Sequence, residues 1–193
     1  MRFFTSLFAV AAFAAAPLFA ADAENTLVIE VAGESTGTIE IELLPDVAPQ
    51  HVERIKRLAR EGLYDDVVFH RVIPGFMAQT GDVEHGKREG FNLRYAGTGS
   101  SALPDLPAEF SDINYDAGVV GMARSSQPNT ANSQFFIMFA EGSFLNGQYT
   151  VVGRVSSGQD VVDAIKKGDE AANGAVAKPD YMKSVKVKSD IAE

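Results

Sequence analysis

The run Phe69-His70-Arg71-Val72-Ile73-Pro74-Gly75-Phe76-Met77-Ala78-Gln79 limits the possible folds more than any other part of the chain. Val67 to Val72 is β-branched and aromatic and reads as a strand. Pro74-Gly75 supplies a turn, and Phe76 to Thr80 runs back as the partner strand. Because strand side chains alternate, the pattern puts Phe69 and Arg71 on one face, and Met77 and Gln79 on one face of the return strand. A cation, an amide and an aromatic–thioether wall are then expected on one surface. Asn132-Ser133-Gln134-Phe135-Phe136-Ile137-Met138 repeats the chemistry. By parity Gln134 and Phe136 face one way, and Phe135 and Ile137 face the core.

The remaining segments are of the same short kind. Thr26 to Ala32 and Thr38 to Leu44 flank Gly33-Glu34-Ser35-Thr36-Gly37, and Ile39, Ile41 and Leu43 alternate with Glu40 and Glu42, which predicts an opening hairpin with one wet face. Pro49 to Arg60 carries Val52, Ile55, Leu58 and Ala59 at helical spacing, with Pro49 at its start and Gly62 beyond its end. Glu53 and Arg57 are expected to pair on its exposed side. A second helix is predicted from Gly158 to Lys167 with Val161, Val162 and Ile165 inward, and a closing strand where Val185 and Val187 alternate with Lys186 and Lys188. Two helices among many short strands indicate a closed, mainly β architecture, with barrel and sandwich both open.

At 193 residues the chain is long enough for one well-buried domain, and its 46% hydrophobic and 22% charged residues are an ordinary globular balance. A net charge of −9 argues against an electrostatic grip on nucleic acid. There is no cysteine, which excludes disulfides and thiolate chemistry. Arg2 followed by an apolar, alanine-rich stretch and the small-x-small site Ala21-Asp22-Ala23 predicts a signal peptide, residues 1–23, cleaved before Glu24. The other reading is a retained anchor, but the apolar run is short and broken by Pro17. The mature protein, residues 24–193, is expected to be a soluble monomer in the periplasm or outside the cell, with no membrane association after cleavage.

The two opening segments resemble the cyclophilin family of peptidyl-prolyl cis/trans isomerases. The resemblance extends to Gly118-Val119-Val120-Gly121-Met122-Ala123-Arg124, Pro128-Asn129-Thr130, Ser143-Phe144-Leu145-Asn146-Gly147 and Val151-Val152-Gly153, in the family's order over roughly residues 26 to 188. It implies a closed eight-stranded antiparallel barrel capped by two helices, and proline-containing polypeptides as substrates. Rotation about an X–Pro bond faces about 18–20 kcal/mol because resonance stiffens C–N. No bond breaks, so no metal or cofactor is expected, and His51, His70 and His85 lack metal-ligand spacing. A hundred-thousand-fold acceleration requires about 7 kcal/mol of selective binding of the twisted amide.

The resemblance implies that Arg71 is the catalytic group, its planar guanidinium donating to the prolyl nitrogen. Phe76, Met77, Phe136 and Leu145 would form the proline pocket, and Gln79 and Gln134 would hold the flanking backbone. Ala123, Arg124 and Ser125 would offer backbone groups to the bound peptide. His70 is either groove lining or a satisfied buried histidine. Phe144 stands where many members carry tryptophan, Tyr149 where histidine is frequent and Arg124 where asparagine is. The lost indole N–H predicts weak cyclosporin binding. Gly97-Thr98-Gly99-Ser100-Ser101-Ala102 matches a dinucleotide-binding pattern, but no βαβ unit surrounds it and prolines follow. In the family a Gly-Thr-Gly stretch here lines the groove, although this chain inserts more residues after Gly81-Asp82. The rival to an enzyme of exported-protein folding is a chaperone or scaffold that binds proline peptides without turnover.

Overall fold

The computed structural model describes residues 22–191. The expected signal sequence lies, but for its last two residues, outside the described part. Nine strands form one sheet: β1 (Thr26–Ala32), β2 (Gly37–Leu43), β3 (Val67–Val68), β4 (Arg71–Ile73), β5 (Met77–Thr80), β6 (Val119–Met122), β7 (Phe135–Met138), β8 (Val151–Ser157) and β9 (Tyr181–Val187). Their order is β3-β9-β1-β2-β8-β6-β7-β5-β4. All neighbours are antiparallel. The expected eight strands become nine because the stretch 67–72 is not one strand. It breaks at Phe69-His70 into β3, which pairs with β9, and β4, which pairs with β5. The first and last strands of the order are therefore consecutive in the chain, and the sheet curls round on itself. The Thr80 hydroxyl of β5, donating to the Val68 carbonyl of β3 at 2.9 Å, bridges the gap between the two ends.

The break also changes a side chain's direction. Phe69 is fully buried in the main core, as is Val72, so the expected shared face of Phe69 and Arg71 is not formed. Alternation cannot be counted through a residue that leaves the pleat.

Period-two patterning holds in the opening hairpin. Leu27 opposes Ile41 and Ile29 opposes Ile39 across the opening hairpin, and Ile29 opposes Val185 on the other side. These side chains fill the interior with Val52, Ile55 and Leu58 of α1 (Pro49–Arg60). The expected Glu53–Arg57 pair does not form. Arg57 instead bonds Glu61 at 2.8 Å, and Glu53 bonds Lys56 at 2.6 Å. The second helix, α2 (Gln159–Ala164), is shorter than the pattern suggests, and buries Val162, with Ile165 just past its end.

A second, smaller apolar cluster lies on the opposite face of β5, β6 and β7. It contains Met77, Tyr115, Val119, Phe136, Met138, Leu145 and Val151. One side of these strands thus serves the core and the other provides an apolar floor at the surface.

The long irregular segment after β5 is fixed by polar side chains. The buried Asp82 carboxylate accepts from the N–H groups of Glu84, His85, Gly97 and Gly99 at 2.8–3.2 Å, closing both ends of the inserted loop. A Cβ at Gly99 would strike that carboxylate, which fixes glycine there. Glu109 caps α1 from a distance, accepting from the N–H groups of Gln50 and His51 and pairing with the His51 ring at 2.6 Å. Ala48, at the helix start, has no side chain able to do so. No helix of the described residues is long and apolar enough to cross a membrane.

Candidate active site

Strand register builds the site. Arg71 lies opposite Gln79, and Gln79 opposite Phe136, so three neighbouring strands present a cation, an amide and an aromatic ring on one outward face. Gln134 lies immediately before β7. A chain of hydrogen bonds runs across these residues. Arg71 Nη1 donates to Gln79 Oε1 at 3.2 Å, and Gln79 Nε2 to Gln134 Oε1 at 3.0 Å. Gln134 Nε2 donates to the carbonyls of Gly97 and Gly99 at 3.1 and 2.8 Å. The backbone of the glycine stretch therefore fixes which way the Gln134 amide faces, and through it the Gln79 amide.

Arg71 is anchored on its other side by Asn173, which the sequence reading missed. Nε donates to the Asn173 carbonyl at 3.0 Å and Nη2 to its side-chain oxygen at 2.9 Å. Asn173 sits at φ 55°, a left-handed position that asparagine tolerates well. Its signal was the Asn173-Gly174 pair, a recognised turn former. Of the five N–H groups of Arg71, three reach oxygen acceptors, which leaves one on each terminal nitrogen. Met77 Sδ, 4.0 Å from Nη1, is a weak partner. Burial pulls the guanidinium pKa down from its ordinary value, with Tyr149 opposing.

Beside Arg71 lies a cleft of about 370 Å³. Phe76, Met77, Phe136 and Leu145 line it, with Phe144 and Tyr149 at its edge and Gln79, Ala123 and Arg124 on its border with a second cleft. Phe136 is stacked on Tyr115 with ring centres 5.7 Å apart, and Tyr149 meets it edge-on at 5.9 Å. Gly121 makes room for this floor, because a Cβ there would come within 2.6 Å of Phe136 Cζ. Phe144, 65% exposed, leans on Phe76 at 5.4 Å. The second cleft, about 430 Å³, is more polar. It contains Gln79, Gln134, Ser125, Asn132 and the Gly97–Gly99 stretch.

The backbone edge at Ala123 to Ser125 is narrower than expected. Ala123 N–H is bonded to the Gln134 carbonyl, Ser125 N–H to the Thr130 hydroxyl, and the Ser125 carbonyl to Arg124. Among the described residues, Arg124 alone of the three has both its N–H and its carbonyl without a partner. The Arg124 side chain folds across Tyr149, 4.3 Å from the ring centre.

His70 is 4% exposed and belongs to the wall behind Arg71, outside the apolar cleft. Burial lowers its pKa to about 4, with Asp82 opposing and Arg71 adding to the effect.

The residue pattern and the fold now meet in one family. The description Cyclophilin type peptidyl-prolyl cis-trans isomerase/CLD matches residues 26–187. The chain belongs to the cyclophilin-type isomerases. Its relatives include a protein of Brucella suis named probable peptidyl-prolyl cis-trans isomerase, 55% identical over 98% of this chain and 99% of that one. Peptidyl-prolyl cis-trans isomerase B of Bacillus subtilis is 38% identical over 70% of this chain and 88% of its own. Among solved structures, a cyclophilin from Hirschia baltica superposes with a TM-score of 0.74 at 28% identity, covering 89% of this chain and 76% of that one. This cyclophilin-type protein is accordingly an enzyme, a peptidyl-prolyl cis-trans isomerase. The curled β sheet with two helices is the family's fold.

The lowered pKa makes His70 neutral at pH 7. By NMR titration its ring is expected to take up a proton near pH 4, against about 6.5 for an ordinary histidine. The unfolded chain protonates first, so the stability His70 contributes is full above about pH 6.5 and falls as pH drops toward 4. A midpoint near 6.5 would place the ring in water and contradict this placement.

Proposed function

We propose that Arg71 is the catalytic group and that the apolar cleft beside it holds the proline ring of an X–Pro bond. The observation that carries the reading is the guanidinium itself. Asn173 and Gln79 hold it from two sides, with unspent N–H groups beside an apolar pocket. An N–H placed at the prolyl nitrogen stabilises the twisted amide, whose lone pair is no longer delocalised, and gains little from either planar isomer. That difference is what lowers the barrier. Phe76, Met77, Phe136 and Leu145 exclude water from the ring, and Arg124 offers its free backbone pair to the chain flanking the proline. Gln79 and Gln134 orient the guanidinium and its surroundings. Because only rotation occurs, neutral His70 has no proton to transfer.

The experiment is exchange NMR on a proline tetrapeptide. Arg71→Ala should lose about two orders of magnitude or more in kcat/KM, equivalent to about 3 kcal/mol of transition-state stabilisation. Its melting temperature should barely change. Undiminished turnover would end the mechanism.

The reading extends to an exported, monomeric enzyme acting on proteins that fold outside the cytoplasm. The leader pattern of residues 1–23 supports it. Intact-mass measurement of protein from its own host should show a chain beginning at Glu24. Retention of the leader would instead indicate a tethered form.

Phe144 supplies an exposed ring without an N–H donor. A tight ligand that relies on that donor loses roughly 1–3 kcal/mol. Cyclosporin should therefore bind about ten- to a hundredfold more weakly than to Phe144→Trp, by titration calorimetry. Equal affinities would remove Phe144 from that role.

A further inference from the structure

We propose that Arg124 makes this groove select substrates with an acidic residue next to the proline. The proposal rests on the isomerase reading of the site and names its substrate class. Arg124 does not wave in solvent. Its Nε and Nη2 donate to the Gln148 carbonyl at 3.1 and 2.8 Å, and Nη1 to the carbonyls of Ser125 and Ser126 at 2.9 and 3.4 Å. The Tyr149 ring supports the guanidinium from beneath. All these partners are neutral, so the side chain is immobilised while its charge stays uncompensated. The ordering cost that usually weakens a surface arginine is already met within the fold.

Arg124 and Arg71 line the same cleft. Among the described residues neither forms an ion pair, whereas Arg60, Lys56, Lys166 and Lys183 all do. Asp105, the acid at the neighbouring cleft, bonds Asn132 and interacts with Arg54. On a chain of net charge −9, the groove is thus locally cationic on both sides of the proline pocket. Four of the five N–H groups of Arg124 are spent, and the last, on Nη2, remains for a carboxylate. The free backbone pair of the same residue keeps the bound chain close enough for a flanking side chain to reach it.

The test compares kcat/KM by exchange NMR for Ala-Xaa-Pro-Phe and Ala-Ala-Pro-Xaa, with Xaa as Glu, Gln or Lys. In at least one series the glutamate peptide should be turned over about tenfold faster than the lysine peptide. The ratio should fall toward one as salt is raised, because the attraction is a screened charge effect. Arg124→Gln should bring the low-salt ratio toward one, Arg124→Lys should keep part of it, and Arg124→Glu should invert it. Equal rates for all three peptides, a ratio indifferent to salt, or a ratio unchanged in Arg124→Gln would each overturn the proposal while leaving the isomerase standing. Absence of turnover of every peptide by the wild-type protein would instead remove the reading on which the proposal rests.

Discussion

The register of β5 between β4 and β7 is the constraint on which the site depends. Side chains on a strand alternate strictly, so a slip of one residue would send Gln79 and Met77 into the core and bring Ala78 to the surface. Burial on the inner face, where Ala78 and Ile137 are packed out of water, fixes that register, and the Arg71–Gln79–Gln134 hydrogen bonds reinforce it on the outer face. Precision in the reactive face is thus inherited from the core. A groove that must hold a twisted amide to within fractions of an ångström gains from sitting on paired strands and not on loops.

The sheet curls without closing into the expected barrel, and the curl follows from a defect. If residues 67–73 were one regular strand, Phe69 would share a face with Arg71. Instead the chain leaves the pleat at Phe69 and His70, so that β3 serves β9 and β4 serves β5. The Phe69 N–H is taken up by the Asp180 carbonyl, and the His70 carbonyl accepts from Val176. Arg71 then emerges beside the turn that carries Asn173. The local irregularity is what brings the cation to its anchor.

Much of this was legible. The opening hairpin, α1, the closing strand and the parity of Phe135 and Phe136 follow from period and burial, which sequence records directly. Arg71, Gln79 and Gln134 were recognisable as a set because their motifs resemble a known family. Four things were not readable. Phe69 was misplaced because alternation says nothing about where a strand breaks. Asn173 was passed over because its partner lies far off in sequence, and an Asn-Gly turn alone carries no address. The bonding of Arg124 to carbonyls was hidden because backbone acceptors have no sequence signature. The segment after Asp82 was likewise opaque, being ordered by single polar side chains and not by any periodicity.

The bond between Arg71 and Asn173 spans 102 positions of the chain. A polypeptide synthesised only as far as β8 already contains the residues of the apolar cleft, Arg71 and both glutamines. It lacks the asparagine that aims the guanidinium, and it lacks β9, the strand between β1 and β3. Both the partner that orients Arg71 and the strand that completes the sheet are thus supplied by the last part of the chain. Synthesis must therefore run past residue 173 before the guanidinium can be held on both sides, and past β9 before the sheet is continuous.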